Sequence, residues 1–332
     1  MILRELTAPV SLTNEQGLLN PESVGWARQP LVTTAGINGR TAWGRNKRWE
    51  YWNVITPTHI LALTVSSLDY ATVNDVWVFD RATSDVVHLG KTNLGSGSVV
   101  LPATLGDGPA RAKSGTLKID IVEEAGGTRL KASIPGASFD VFAERPEGHE
   151  SLAVVVPWST KRFQYTVKDV ARPASGSVTI HGRTYPVPAG QSWAVLDHGR
   201  GRWPYDIAWN WGAGSGTMNG RVIGLQVGDR WTDGTGSTEN SVLVGTTLYK
   251  IHEKLQWSYD LDNWADAWRI IGGGLNATLR PFYNKESSMN LGVLSNRTDQ
   301  CFGYWSGTFD TGSEVVEFEN IVGFAEDVHN RW

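Results

Sequence analysis

The sequence predicts an all-β protein that contains two antiparallel β-barrel or β-sandwich domains in tandem. Three observations support this class. Strand-like runs recur at short, regular intervals and are separated by Gly, Pro, Asp and Asn. Sustained helical periodicity is missing from the sequence. The 332 residues include 16 tryptophans and 37 glycines, a combination that indicates strands bending around an aromatic-lined cavity.

Strand-like segments lie on both sides of a central stretch rich in glycine and tryptophan. They are rich in β-branched and aromatic residues, which favour strands. In the first half we expect strands at residues 59–68, 73–80, 98–103, 117–124, 129–134, 138–143 and 152–156. In the second half we expect them at residues 241–250, 254–259, 268–271, 277–282, 303–309 and 315–324. Residues 260–268 are expected to form one short helical turn, and Gly126 and Gly127 the turn of a hairpin.

A segment of small residues and proline, residues 171–176 (ARPASG), is expected to connect two domains. The length and the 40% content of hydrophobic residues suit two medium-sized cores. We therefore expect an N-terminal β-domain at residues 1–170 and a C-terminal β-barrel domain at residues 171–332.

The composition argues against several classes of partner. The net charge is −4 and the 30 basic residues are dispersed, so neither nucleic acid nor an anionic membrane is an expected partner. The first residues lack the pattern of a signal peptide, and apolar runs stay short of the ~18 residues that span a membrane. We expect a cytoplasmic protein without a membrane span, whose partner is a small molecule.

Cysteine and histidine usage argues against a metal centre. The single cysteine, Cys301, excludes an internal disulfide, and we expect it to be buried in a strand. The seven histidines show no H-x-H or H-E-x-x-H spacing. Gly212, Gly214 and Gly216 depart from nucleotide-binding spacing and favour a strand kink or a close approach to a ligand. The sequence thus predicts no metal and no cofactor.

The stretch from Gln191 to Asp229 concentrates residues that can carry out chemistry. Side chains alternate along a strand, so Asp197 and His198 should lie on opposite faces, and only one can face a given cavity. The same alternation predicts one face formed by Tyr205, Trp209 and Trp211 and an opposite face formed by Asp206 and Asn210. Aromatic rings and polar side chains are therefore expected on separate surfaces.

General acid–base chemistry by carboxylates fits this stretch best. A carboxylic acid surrounded by rings is desolvated, so its pKa rises towards neutrality, where it can donate a proton. Asp197 and Asp206 are the candidate acids, and His198 is a candidate for orienting a carboxylate or transferring a proton. The alternative is structural: the aspartates could order the neighbouring arginines by ion pairing. The expected substrate contacts in this stretch are Trp193, Arg200, Arg202, Trp203, Tyr205, Trp209, Asn210 and Trp211.

A second dense stretch runs from Arg45 to Trp52. In a strand, Arg48 and Glu50 share one face with Trp52, and Trp49 shares the other with Tyr51 and Asn53. One interpretation is a solvated edge strand. In the other, this stretch lines the same cavity, and the residues that contact the substrate are Arg48, Trp49 and Tyr51.

Four phrases resemble a known bacterial family, the proteins with domain of unknown function 2804. They are LNPESVGWARQPL, NKRWEYWNV, VPWSTKRFQYTVKD and LDHGRGRWPYDIAWNWGAGSG, and they occur in the same order over nearly the whole chain. Four separate phrases in order make the resemblance specific.

A more distant similarity is to the lipocalin-like AttH and carotenoid 1,2-hydratase group. The matching residues are Leu196-Asp197-His198, then Trp209-Asn210-Trp211, then residues 222–227. Residues 199–203 depart from the acidic-Trp-Gly continuation of that group. The resemblance implies two lipocalin-like domains and cofactor-free chemistry, in which an aspartic acid protonates an alkene, rings stabilise the cation and water is added.

Together these observations predict a cofactor-independent lyase or isomerase of the hydratase type. Its substrate would be an isoprenoid or another bulky apolar molecule held in an aromatic-lined pocket. Two alternatives stay open. One is a carbohydrate-active enzyme, such as a glycoside hydrolase with a carboxylate pair, because tryptophans stack on sugars. The other is a lipocalin-like protein that binds a small molecule without catalysis.

Overall fold

The computed structural model describes residues 3–290, 292 and 295–331. The strands form two compact units, one from Leu6 to Trp203 and the other from Pro204 onward together with the N-terminal residues through Glu5. The predicted all-β class is confirmed. Helical structure in the described residues is limited to a 3₁₀ turn at Pro21–Ser23, and none of it is long and apolar enough to cross a membrane.

The first unit consists of strands β1 to β16. Their bounds are β1 Val10–Ser11, β2 Trp26–Ala27, β3 Val32–Thr33, β4 Lys47–Ile55, β5 His59–Ser67, β6 Ala71–Asp80, β7 Val86–Leu94, β8 Val99–Val100, β9 Ala110–Ser114, β10 Leu117–Glu124, β11 Gly127–Ile134, β12 Ala137–Glu144, β13 Leu152–Pro157, β14 Phe163–Ile180, β15 Arg183–Val187 and β16 Trp193–Arg202.

β1 and β3 form a separate two-stranded parallel sheet, and the other strands form one curled antiparallel sheet. Its order is β7-β6-β5-β4-β16-β14-β12-β11-β10-β9-β8, with β13 and β15 also paired to β14 and β2 paired to β13. Period-two alternation of apolar and polar residues produces its faces: Leu117, Ile119 and Ile121 of β10 are buried, and Lys118 between them is exposed. Because the sheet curls, apolar residues of β4–β6 and β9–β12 share one core. β16 lies between β4 and β14, so β4, which is distant in sequence from the other two strands, joins them in the middle of the sheet.

The segment expected to link two domains lies inside β14. The strand runs through residues 171–176 and changes register between Asp169 and Arg172, where Ala171 adopts a φ of 57°. This bulge bends the strand, so its first half pairs with β16 and its second half with β12 and β15. The small residues therefore allow a bend within a sheet, and the compact units divide later, after Trp203.

The second unit consists of strands β17 to β25. Their bounds are β17 Asp206–Met218, β18 Arg221–Asp229, β19 Asn240–Val244, β20 Thr247–Ile251, β21 Gln256–Ser258, β22 Trp268–Gly272, β23 Leu275–Asn290, β24 Ser295–Asp310 and β25 Val315–Arg331. They form an antiparallel sheet with the order β20-β19-β18-β17-β25-β24-β23-β22-β21 around a separate core. Cys301 is buried in β24, as predicted.

The glycines of β17 allow a core ring to lie against the backbone. A Cβ added to Gly214 would lie 2.7 Å from Trp305 Cδ1, and one added to Gly212 would lie 3.1 Å from Trp305 Cζ2. Trp305 also donates a hydrogen bond from Nε1 to the carbonyl oxygen of Ala213, at 3.1 Å. The sequence predicted a strand kink or a close approach to a ligand at these glycines; at Gly212 and Gly214 the structure shows a close approach to a buried tryptophan of the core.

Residues 260–268 do not form the expected helical turn. They are turns and bends, and Trp268 already belongs to β22. Short polar side chains bind the local backbone instead: Asp260 Oδ1 accepts from the amide of Asp262 at 2.8 Å, and Asn263 Oδ1 accepts from the amide of Ala265. Such local bonds compete with helical ones, which explains the difference.

Glycine position also sets two strand boundaries. Glu124 pairs with Gly127, so the predicted hairpin turns at Ala125 and Gly126, and Gly126 has a φ of 81°. The strand expected at residues 241–250 divides in two at Gly245, which has a φ of 68°. A left-handed glycine reverses the chain at both places.

Candidate functional site

The central strands β4, β16 and β14 bring the two dense stretches of the sequence together. Asp197 on β16 pairs with Tyr51 on β4 and with Lys168 on β14. As predicted, Asp197 and His198 lie on opposite faces. We call the surface that carries Asp197 the Asp197 face, and the surface that carries His198 the His198 face.

Asp197 is held by donors from both neighbouring strands. Trp49 Nε1 donates to Asp197 Oδ2 at 3.0 Å, Thr166 Oγ1 lies 3.2 Å from Oδ1, and the Lys168 ammonium lies 3.1 Å from Oδ1. The Asp197 side chain is 15% exposed and that of Lys168 is 6% exposed. A carboxylate and an ammonium in contact, close to the surface, form a pair that can exchange protons with a bound molecule.

Three tryptophans line the Asp197 face beside this pair. The ring centroids of Trp49 and Trp203 are 5.6 Å apart, and those of Trp158 and Trp203 are 5.2 Å apart. Trp203 Nε1 donates to Gln164 Oε1 at 2.7 Å, which fixes the orientation of its ring. These rings provide an apolar, electron-rich wall next to the carboxylate.

Gly199 makes room for the ring of Trp49. A Cβ at this position would lie 2.2 Å from Trp49 Cζ2, so any side chain would displace the indole. We expect Gly199→Ala to break the hydrogen bond from Trp49 to Asp197 and to change the tryptophan fluorescence and near-UV circular dichroism. Gly97→Ala is the control, because nothing lies within 4 Å of its added Cβ. Unchanged spectra in Gly199→Ala would contradict this packing.

The His198 face carries a buried charged cluster. Glu50 Oε1 lies 3.1 Å from Arg200 Nη2 and 3.6 Å from His198 Nδ1, and all three side chains are buried. Burial and the Arg200 charge lower the pKa of His198 to about 4, although Glu50 and Asp197 raise it. His198 is therefore neutral at neutral pH. Contacts with His198 and Arg200 outweigh burial and lower the pKa of Glu50.

Neutral His198 makes the stability of the protein depend on pH. The unfolded state protonates this histidine near its ordinary pKa of 6.5, whereas the folded state does so at about 4. As the pH falls through this window, only the unfolded state gains the proton, so stability decreases by up to about 1.4 kcal/mol per pH unit. We expect the free energy of unfolding of His198→Gln, measured with urea between these pH values, to lack the decrease that protonation of His198 in the unfolded state causes. An identical pH dependence in the variant and the natural protein would contradict the prediction.

The two arginines expected to contact the substrate are buried among backbone carbonyls. Arg200 Nη1 donates to the carbonyl of Trp49 at 2.8 Å. Arg202 Nε donates to Asn46 Oδ1 at 3.0 Å, and its Nη1 bonds to the carbonyl of Gly17. They tie the N-terminal segments to β16. Arg48 also lies on the His198 face, and it donates to Ser67 Oγ at 3.0 Å.

Five predicted residues belong to the second unit. Asp206 is exposed and pairs with His329 at 2.6 Å and with Arg331 at 3.3 Å. Trp209 Nε1 donates to Glu326 Oε1, Trp211 is buried in the core, and Tyr205 is exposed. The structure therefore brings Trp49, Tyr51 and Trp203 to the Asp197 face, whereas Asp206, Tyr205, Trp209, Asn210 and Trp211 belong to the second unit. Trp193 is buried at the start of β16.

Asn210 is linked to an open depression of about 470 Å³ in the second unit. Its Nδ2 donates to the Tyr259 hydroxyl at 2.9 Å, and this hydroxyl donates to Asp327 at 2.5 Å. The Tyr259 ring stacks on Trp268 at 4.0 Å between centroids. The residues that line the depression are Ser258, Tyr259, Asp260, Leu261, Asp266 and Ala267.

Sequence reasoning missed the contribution of β14. Gln164, Thr166 and Lys168 lie on the Asp197 face, and they alternate in the sequence with the buried apolar residues Phe163, Tyr165 and Val167. This alternation within FQYTVKD was the available signal, because it marks one polar face on an otherwise buried strand.

Comparison with known families identifies the chain. The sequence model of the family described as domain of unknown function, DUF2804, matches residues 3–332. The chain belongs to the DUF2804 family. No curated protein matches it at a significant level.

Solved structures share the fold of this DUF2804 protein at low sequence identity. An AttH-type protein from Nitrosomonas europaea is 13% identical with a TM-score of 0.50, covering 85% of this chain and 92% of that one. Kievitone hydratase from Nectria haematococca is 12% identical with a TM-score of 0.52, covering 98% and 96%. CghA is 10% identical with a TM-score of 0.55, covering 96% and 97%. These likenesses show the lipocalin-like β fold that the sequence predicted.

Proposed function

We propose that this DUF2804 protein is a cofactor-independent lyase of the hydratase type that acts on a bulky apolar molecule, such as an isoprenoid, with Asp197 as the acid–base group. The observation that carries the proposal is the environment of this carboxylate. It is partly exposed, in contact with the Lys168 ammonium and adjacent to the ring of Trp49. Proton-transfer groups and an apolar wall therefore occur side by side.

The chemistry of hydration matches this set of groups. Adding water to an alkene places a proton on one carbon and hydroxide on the other, and no electrons are exchanged. The Lys168 ammonium would supply the proton that Asp197 passes to one alkene carbon, and the water that adds to the other carbon would return its proton to this pair. A cation that develops next to a tryptophan ring is stabilised by about 0.5–2 kcal/mol. The fold shared with kievitone hydratase adds support at the level of architecture.

The remaining candidates have different roles in this proposal. Buried His198 would have a structural role, because its side chain lies on the opposite face from Asp197, where the Glu50–Arg200 ion pair joins β4 to β16. Trp49, Tyr51 and Trp203 would contact the substrate. Asp206 would have a structural role within the second unit, where it pairs with His329 and Arg331.

The test is a search for gain or loss of water. Purified protein is incubated with paired alkenes and alcohols of isoprenoid and phenolic types in isotopically labelled water, and products are identified by mass spectrometry. We expect one pair to interconvert with incorporation of a single labelled oxygen. Cleavage of glycosides in a parallel set would support the glycoside hydrolase instead. Tight binding without any product would support a carrier.

A further inference from the structure

The hydroxyl of Thr166 on β14 lies between two oxygen atoms of β16. Its Oγ1 is 3.2 Å from Asp197 Oδ1 and 3.1 Å from the carbonyl oxygen of His198, and the side chain is buried. A hydroxyl carries one proton and can also accept hydrogen bonds through its lone pairs. Thr166 can therefore donate to only one of these two oxygens at a time.

The other side chains that contact Asp197 are donors. Trp49 Nε1 donates to Oδ2 at 3.0 Å, and the Lys168 ammonium lies 3.1 Å from Oδ1. An indole N–H and an ammonium have no acceptor. Within residues 3–290, 292 and 295–331, Thr166 Oγ1 is thus the one side-chain atom in contact with this carboxyl group that can accept a hydrogen bond from it while Lys168 is charged.

This geometry suits both protonation states of the carboxyl group. When Asp197 is ionised, the Thr166 hydroxyl can donate to Oδ1, which Lys168 also contacts. When Asp197 is protonated, its O–H can donate to Thr166 Oγ1, and the threonine O–H turns to the carbonyl oxygen of His198. Strand pairing keeps these atoms together, because Thr166 pairs with Gly199, the residue after His198.

We propose that Thr166 is a positioning residue, which accepts the hydrogen bond of the protonated Asp197 carboxyl group and donates its own to the His198 carbonyl oxygen. This inference rests on the proposed function, in which Asp197 is neutral when it delivers a proton to the alkene. That proton moves from Lys168 Nζ to Asp197 and then to an alkene carbon, and the added water restores it to the pair. After the first step the Lys168 amine can take the proton back, so an acceptor at Thr166 favours the neutral acid over this return.

Asparagine at position 197 imitates the neutral acid. Its amide oxygen can accept from Trp49 Nε1, and its NH₂ group, in the place of Oδ1, can donate to Thr166 Oγ1. Thr166→Val removes the hydroxyl and keeps a β-branched side chain. In the natural protein this loss leaves Oδ1 in contact with Lys168, whereas with asparagine it leaves the NH₂ group without its acceptor.

The test is a double-mutant cycle measured by urea unfolding at neutral pH, so it needs no substrate. The four proteins are the natural chain, Thr166→Val, Asp197→Asn and the double variant. We expect Thr166→Val to raise the equilibrium constant for unfolding by a factor that is at least about fivefold larger in the Asp197→Asn background than in the natural one. Thr166→Ser keeps the hydroxyl, so its effect should be the same in both backgrounds.

A control on the same strand tests whether the coupling is local. Thr179→Val removes a hydroxyl that bonds to Thr184 Oγ1 at 2.9 Å, and its effect should be equal in both backgrounds. Equal effects of Thr166→Val in the two backgrounds would overturn the proposal, because a purely structural hydroxyl does not respond to residue 197. A larger effect in the natural background would also overturn it, since the hydroxyl would then serve only the carboxylate.

The outcome of the cycle is independent of the hydratase assay. Failure to find a substrate leaves the measured coupling between Thr166 and Asp197 intact, and loss of the coupling leaves the activity of the natural protein to its own test. Once the product screen identifies a substrate, Thr166→Val should lower kcat rather than raise KM, and Thr166→Ser should restore kcat.

Discussion

Asp197→Asn is expected to lower kcat/KM for the substrate by about 10²–10⁴-fold, the range contributed by a positioned acid–base group. Asn has the size of Asp but cannot exchange a proton, and its single oxygen can accept only one of the hydrogen bonds from Trp49 and Thr166, which reach different oxygens of Asp197. We expect the variant to fold, with the far-UV circular dichroism of the natural protein. The measurement is the steady-state rate of water addition or removal on whichever pair the product screen identifies.

The matched control for this experiment is Asp120→Asn in the same unit. Asp120 is exposed and pairs with Arg111 on the neighbouring strand, so its loss should leave the rate within about twofold. Full activity in Asp197→Asn would remove Asp197 from the mechanism. Inactivation by Asp206→Asn of similar size would favour the glycoside hydrolase alternative with two carboxylates.

Asp169→Ala is expected to destabilise the first unit by about 3–5 kcal/mol, because it leaves a buried arginine without its counter-ion. Asp169 is buried at the bulge of β14, where its carboxylate contacts Arg172 Nη1 at 2.7 Å and His149 Nε2 at 2.7 Å. Arg172 is fully buried. Urea unfolding at neutral pH measures the loss, and Asp140→Ala is the control, since Asp140 forms only exposed ion pairs with Arg129 and Lys131.

The same carboxylate predicts a pH dependence in acid. The Arg172 guanidinium and the His149 ring outweigh the effect of burial and hold the pKa of Asp169 well below its ordinary value. Its contribution to stability is therefore complete above the unfolded pKa near 4 and is lost as the pH falls towards the folded value. We expect Asp169→Ala to be less sensitive to acid than the natural protein. A loss at neutral pH no larger than that of Asp140→Ala would show that the cluster does not stabilise the fold.

Local patterns in the sequence were sufficient for the fold class and for most strands. Alternating apolar residues predicted the strand at residues 117–124 with its observed bounds, and they placed Asp197 and His198 on opposite faces of β16. The same alternation placed Arg48 and Trp49 on opposite faces of β4. These predictions succeed because the side-chain direction of a strand depends only on the position along the chain.

The partners of Asp197 could not be predicted in this way. Lys168 and Trp49 contact Asp197 because β14 and β4 pair with β16. The alternation of residues within one strand does not tell which other strands pair with it. The interpretation of residues 171–176 failed for a related reason. Small residues and proline occur at linkers, but here they accommodate a bulge at Arg172, whose side chain donates to the carbonyl oxygens of Ala143 and Glu144 on β12 and pairs with Asp169.

The position of β16 between β4 and β14 has a consequence for how the protein folds. The bond from Trp49 to Asp197 joins residues that are 148 positions apart, so the chain must close a very long loop before this contact can form. Closing such a loop reduces chain entropy before any contact compensates for it, which makes non-local β pairing slow. Local hairpins such as β10–β11 can form early, whereas the Asp197 face is absent until the last part of the chain's first 203 residues has been synthesised and docked. A nascent or truncated chain without β16 would thus expose the edges of β4 and β14, and these unpaired edges could then pair with other chains.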